Sequence, residues 1–220
     1  MDFYIYFILT VVYAGMLIRG WFITRIQPTP LYAVLLLLVT LALLYDNAVL
    51  ALGKTIGEGE TLINLNAVRY WLHAFCTPLL IPVGYYILRK ERFRLAQKGW
   101  AAATAWLITL ALVVYQSIFA VKETQHLKAV TEYGVLHYTP TGANGSGVMI
   151  ITVTAILFAV SLALLFRRRW WRLAVSIVVT AGGMAASSLL DSKAILNVFE
   201  WVFMGGLWLT LNRRRPQKPY

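Results

Sequence analysis

The sequence predicts an all-α, polytopic integral membrane protein with seven transmembrane helices, its amino terminus outside and its carboxyl terminus in the cytoplasm. Three observations predict this. Apolar residues make up 60% of the 220-residue chain and charged residues only 13%, against about 45–50% and about 25% in a soluble domain. Seven mostly apolar stretches approach the ~20 residues that a helix needs to cross a hydrocarbon core of about 30 Å. Lys and Arg are spread unevenly over alternate loops, which sets the direction of insertion.

The spans are read at Phe3–Thr24, Leu31–Gly53, Asn66–Leu88, Gly99–Ala120, Val148–Phe166, Trp170–Leu190 and Ala194–Leu211. They form one domain, residues 1–212, followed by a short basic cytoplasmic tail, 213–220. Backbone polar groups find no water in lipid, so the spans are expected to be helices; strand-like alternation, the mark of a membrane barrel, is missing from them. The start, Met1-Asp2-Phe3-Tyr4, lacks the basic region of a signal peptide, so span one reads as a retained helix. Gln27-Pro28-Thr29-Pro30 ends it, and Lys54 to Leu65, with Gly57 and Gly59, separates spans two and three. The basic run Arg89–Arg94 follows span three. Span four leads into the longest connection, 121–147, where Tyr133–Tyr138 is suited to pair as a short strand. Loops of this length are often functional, so it reads either as a lid or as a solvated connection. Arg167-Arg168-Arg169 makes a tight turn before span six, whose Gly182-Gly183 and Ala185-Ala186 permit close helix approach.

Charge gives the orientation. Fifteen of the twenty Lys and Arg fall on one side, from Arg19 and Arg25 to Arg213–Arg215 and Lys218, and five on the other: Lys54, Arg69, Lys122, Lys128 and Lys193. Of the nine acids, only Glu91 lies with the fifteen. The positive-inside bias therefore places the protein in a cell membrane with that side inward. Most of the net charge of +11 is then topological, with membrane lipids as partners of the basic loops and no nucleic acid implied.

Charged residues within spans are costly and are functional suspects. Asp46 lies seven residues before the outer end of span two, about 10 Å deep at 1.5 Å per residue. Arg69 and His73, at i and i+4 on span three, share a face, as do Asn197 and Glu200 on span seven. Asp46, Asn47, Arg69, His73, Asn197 and Glu200 are thus expected to meet in a polar pocket under the outer surface, walled by spans two, three and seven. Tyr45, Tyr70, Trp71 and Trp201 are neighbours that can line it, or else face lipid at the interface. Asp46, Glu200 and His73 are the candidate catalytic groups; Asn47, Arg69, Asn197, Tyr45, Trp71 and Trp201 are the candidate substrate-binding groups. The competing reading is structural: an acid pairs with Arg69 only to pin helices, and the asparagines bridge them.

The motif search narrows the chemistry. The chain has no His-Glu-x-x-His helix, Walker loop, Gly-x-Ser-x-Gly elbow or Asp-Asp-x-x-Asp cluster. A three-histidine zinc site would need the outer loop, with His126 and His137, to fold onto span three and His73. The single cysteine, Cys76, excludes an internal disulfide. Lys193 sits at the edge of span seven, too shallow for a retinal linkage. No cofactor and no metal is implied. Burying an unpaired carboxylate as an anion is far costlier than burying its protonated form, so two carboxyls near aromatic rings suit acid-initiated chemistry. In size and span count the chain is similar to the small seven-span terpene cyclases, which also rely on acidic residues; no motif is shared with them. The expectation is an intramembrane enzyme that cyclises or isomerises an amphipathic lipid or isoprenoid by metal-free acid/base chemistry. The alternatives are a lipid or solute binding or transport protein and a non-catalytic assembly subunit.

Overall fold

A computed structural model describes residues 2–26, 30–142, 146–186 and 191–213. It is mostly helical. The helices are α1 (Asp2–Ile26), α2 (Pro30–Ile56), α3 (Glu60–Cys76), α4 (Leu80–Lys90), α5 (Gly99–Gln125), α6 (Ser146–Arg168), α7 (Arg172–Ala186) and α8 (Ala194–Leu211). A 3₁₀ turn, Thr77–Leu79, joins α3 and α4 into one apolar rod, Glu60–Lys90, so that seven rods result. Six of them are long and apolar enough to cross a membrane, while α7 has 15 described residues and is shorter. The remainder of the sixth expected span, 187–190, part of the first break, 27–29, and the tail beyond Arg213 lie outside the described residues.

One end of the bundle collects the ends of α2 and α5 and the starts of α1, α3, α6 and α8, and carries a β-hairpin. The other end collects most of the basic residues. There the Glu91 carboxylate takes Arg168 and Arg213 at 3.4 and 3.8 Å, and Trp170 Nε1 donates to Thr210 at 2.9 Å. We refer to these as the hairpin end and the arginine end.

The hairpin is a partial surprise. Tyr133–Tyr138 was expected to hold a strand, and β2 (Val135–Pro140) contains its second part. Its partner β1 (Leu127–Glu132) carries no equally strong apolar alternation. The register pairs Glu132 with Val135, leaving Tyr133 and Gly134 as a two-residue turn with φ of 51° and 84°. Two successive positive φ values are what a tight hairpin turn of matching twist requires. Among the described residues of the 121–147 connection, 121–125 extend α5 and 127–140 form a strap. Its inner face packs Leu136 and Tyr138 with Val49 and Leu62. The strap lies close on α2: a Cβ added at Gly53 would fall on the Leu136 carbonyl oxygen.

The break at Thr77 also has a sequence cause. Pro78 has no N–H for the carbonyl four residues back, and its ring forces the helix to tighten. Pro82 in turn leaves the Pro78 carbonyl without its helical donor. Thr109 Oγ1 of α5 donates to the Ala105 carbonyl of its own helix at 2.8 Å and lies 3.4 Å from the Pro78 oxygen. Small residues set the closest helix contacts: Gly183 of α7 faces the Phe199 ring of α8, and Gly206 of α8 faces Ser176 of α7.

Candidate functional site

The polar side chains of α2, α3 and α8 meet below the hairpin. Asp46, 5% exposed, is the hub. Its Oδ1 accepts from Arg69 Nε at 2.8 Å and its Oδ2 from Asn197 Nδ2 at 3.1 Å. Arg69 Nη1 also donates to Asn66 Oδ1 at 2.7 Å, and Asn197 Nδ2 reaches Asn47 Oδ1 at 3.3 Å. Asn47 and Asn66 each tie their amide nitrogen to the carbonyl one turn back, at 2.8 Å in both cases. Each amide orientation is thereby fixed, with its oxygen turned toward the network.

This network separates two cavities. Toward the hairpin lies a polar one of about 210 Å³, lined by Arg69, Asn197, Tyr6, Tyr70, His137 and Lys193 among others. The strap closes over it through Tyr70 Oη, which donates to the Tyr138 carbonyl at 3.0 Å, and through the Lys193–Glu132 ion pair. The Glu132 carboxyl is held below the usual carboxylate range by hydrogen bonding to Lys193 and by its charge. His137 is held below the usual imidazole range by burial and by the Arg69 charge. The start of α8 is fixed here too: Asp2 Oδ2 accepts the backbone N–H groups of Lys193 and Ala194 at 2.9 and 3.0 Å. A carboxylate on two N-terminal amides is a strong helix cap.

Below the network lies a second cavity of about 110 Å³, lined by His73, Thr77, Thr180, Glu200 and apolar residues including Phe203. His73 Nε2 stands 4.0 Å from Asp46 Oδ1, and its Nδ1 is 3.3 Å from Thr77 Oγ1. The proline break thus presents a hydroxyl to the ring that Asp46 approaches from the other side. Among the described residues no hydrogen bond or ion pair reaches Glu200. The cavity shares Ile150, Thr154, Thr180, Met184 and Phe203 with an apolar groove of about 710 Å³ between α6 and α7.

The expected residues divide clearly. Asp46, Asn47, Arg69 and Asn197 form the network; His73 stands beside it and shares a cavity with Glu200. Tyr45 is near but engaged, its hydroxyl donating to the Leu65 carbonyl at 3.1 Å. Trp71 and Trp201 correct the expectation. Trp71 stacks on Phe75 with centroids 5.5 Å apart, and Trp201 lines a different groove. Neither lines either cavity, so the aromatic ring beside Glu200 is Phe203. The start of span three also changes: it was expected at Asn66, which puts Arg69 about one turn down. Helix α3 begins at Glu60, which puts Arg69 about 14 Å from the helix start rather than one turn. The strap within 121–147 does fold onto α3, where it brings Leu136 and Tyr138. His126 is exposed at the base of the hairpin, His73 and His137 line different cavities, and no metal-binding group of three His, Cys, Asp or Glu occurs among the described residues.

Several participants carried little sequence signal. Thr77 is four residues after His73, a spacing that could have paired them. Tyr13 of α1 is wholly buried, its hydroxyl has no partner among the described residues, and it lies in the electrostatic field of Glu200 and Asp46. A tyrosine in an apolar span reads as interfacial, which concealed it. No family model, curated protein or solved structure matches this chain.

Proposed function

We propose that this protein is an intramembrane enzyme that rearranges an amphipathic lipid or isoprenoid by acid/base chemistry, with Glu200 as the proton-transferring group. One observation carries the reading. Glu200 has no hydrogen-bond partner among the described residues, and the cavity it lines adjoins the apolar α6–α7 groove, with Ile150, Thr154, Thr180, Met184 and Phe203 lining both. A catalytic carboxyl needs a free oxygen within reach of substrate, and a lipid tail needs an apolar path from the bilayer. In this scheme the tail occupies the groove and the reacting carbons reach Glu200. The carboxyl donates its proton to an alkene carbon, giving a cation beside the Phe203 ring, whose face favours positive charge. Loss of a proton from a neighbouring carbon to the carboxylate, or to His73, restores the alkene in a new position or ring. The product is an isomer of the substrate, so atoms and electrons balance without a co-reactant.

Asp46 and Arg69 act in this scheme as positioning residues. They hold the charge and place His73 at the cavity wall. The proposed orientation puts the hairpin end outside, following the lysine and arginine bias. A binding or transport protein would use the same groove but release its lipid unchanged.

The test compares lipid extracts incubated with purified parent and Glu200→Gln proteins, by untargeted mass spectrometry. The expected result is an isomeric pair, one species depleted and one formed, that the parent interconverts and Glu200→Gln does not. A correctly folded Glu200→Gln protein that turns over the pair at the parent rate overturns the reading. So does lipid that binds tightly in the groove, crosses liposomes and is recovered unchanged.

A further inference from the structure

We propose that the arginine end carries a second, separate lipid site: a groove between α1, α7 and α8 that seats one anionic phospholipid. The groove has a volume of about 460 Å³. Arg172 and Asn212 stand at its arginine end, and Arg19 lies about a turn further in, beside Gly20, which packs on Trp208; its walls include Ile23, Val175 and Gly205, and Trp201 lines it further along α8. Asn212, just past the end of α8, is eleven positions from Trp201, so the groove runs about 16 Å along the helix. It lies on the opposite side of α8 from the Glu200 cavity and shares no lining residue with it.

Charge identifies the occupant. Arg19 lies seven residues, about 10 Å, before the end of an apolar helix. An arginine in such a place is costly unless a partner compensates it. Arg19 has no hydrogen bond, ion pair or ring contact among the described residues, and Arg172 has only the Trp170 ring, 5.0 Å from its guanidinium carbon. Two guanidinium groups therefore line one groove without a carboxylate. The sole acid at this end, Glu91, is engaged with Arg168 and Arg213. Guanidinium groups bind phosphate in a forked, directional geometry, and an apolar trough leads away from them. A phosphodiester headgroup with an acyl chain beneath satisfies both halves, whereas a free ion satisfies only the first. A zwitterionic lipid would bring its own cation to a site that already holds two.

Gly205 offers a clean way to block the trough. A Cβ there meets nothing within 4 Å, so a larger side chain projects into the groove without disturbing the packing. The test is native mass spectrometry of the full chain, titrated in detergent with phosphatidylglycerol or phosphatidylcholine of matched chains. The expected result is one phosphatidylglycerol retained at least tenfold more tightly than phosphatidylcholine. The paired variant Arg19→Gln with Arg172→Gln loses that preference, Gly205→Phe loses retention of the lipid, and Arg167→Gln with Arg169→Gln, outside the groove, changes neither. Equal retention of the two lipids overturns the proposal. So does a loss of equal size in the outside pair, which would mark general surface attraction. Full displacement by inorganic phosphate together with an unaffected Gly205→Phe protein would mark an ion site and likewise overturn it. Each variant is first checked for the parent's unfolding temperature, and Arg19→Lys with Arg172→Lys, which keeps the charge, is expected to restore part of the preference.

Discussion

Asp46 and Glu200 are carboxyl groups of the same bundle, both set within apolar helices, and they stand in opposite chemical conditions. Asp46 is saturated. Arg69 and Asn197 occupy its two oxygens at 2.8 and 3.1 Å, and neighbouring asparagines lock those partners in turn. Glu200 has no such partner among the described residues and lines a cavity that adjoins an apolar groove. A saturated buried carboxylate holds structure, because any proton it took would break its bonds. An unsaturated one is free to act on what enters. The difference teaches that the polar cluster has two parts rather than one: a saturated frame formed by α2, α3 and α8, and an unsaturated carboxyl on its lower side, which the proposed function makes the reactive wall. The pinning reading of the sequence then fits Asp46, and the catalytic one is left to Glu200 as a proposal.

The sharpest way to break this comparison is to remove each carboxyl in turn. Glu200→Gln keeps size and shape and removes only the proton-transferring group. Turnover of the isomeric pair is expected to fall by about 10²–10⁴, the usual worth of a general acid or base, with an unchanged unfolding temperature. Asp46→Ala leaves Arg69 buried without its counter-charge, which typically costs about 3–5 kcal/mol. Its unfolding midpoint in denaturant is expected to drop strongly, while Glu200→Gln does not move it. Were the two variants to show the same profile, the division into frame and reactive wall would collapse.

A smaller effect tests the groove. Gly182 of α7 lines it, and a Cβ there meets nothing within 4 Å, so Gly182→Leu fills space rather than packing. The parent's unfolding temperature should be kept while KM for the lipid rises about tenfold and kcat changes little. A fall in kcat with KM unchanged would mean that substrate reaches Glu200 by another path.

How much of this could be read in the chain depends on which property is asked. The helices could be read, because composition and length decide them; α8 coincides with the expected span and α1 differs by one or two residues at each end. The meeting of Asp46, Arg69 and Asn197 could also be read, because chain direction puts all three toward the hairpin end, although the start of α3 at Glu60 changed the depth of Arg69. What could not be read is rotation. Trp71 is two residues from Arg69 and so about 200° around the helix, which turns it away from Asp46; Trp201 is about 100° from Glu200 and faces another groove. The angle was present in the numbering, but only the packing of α1 and α7 against α8 shows which side of α8 holds the cavity. The strap was least legible. Its seat depends on Gly53, a position whose only sequence meaning was the end of a span.

The smallest expected effect concerns pH and the strap, and it contrasts the polar cavity with the one below it. His137 lies in β2, outside the apolar spans, and faces Arg69, Lys193 and Glu132. Burial and the Arg69 charge hold its folded-state pKa below the unfolded value, which is about 6.5. The unfolded state therefore binds the proton more readily. The strap has its full stability above about pH 6.5 and loses part of it as pH falls toward the lowered folded value. Glu132, also lowered through Lys193, acts in the same direction in its own more acidic window, which separates the two. Hydrogen exchange of the β1 and β2 amides, corrected for intrinsic rate, should show protection falling between about pH 6.5 and 5.5, with the α3 amides around His73 unchanged. His137→Gln keeps polar lining without a titrating ring and should flatten that dependence. Protection that fell equally in the strap and in α3, or a His137→Gln strap that still loosened over that range, would place the pH sensitivity in the frame around Asp46 and remove the distinction between the two cavities.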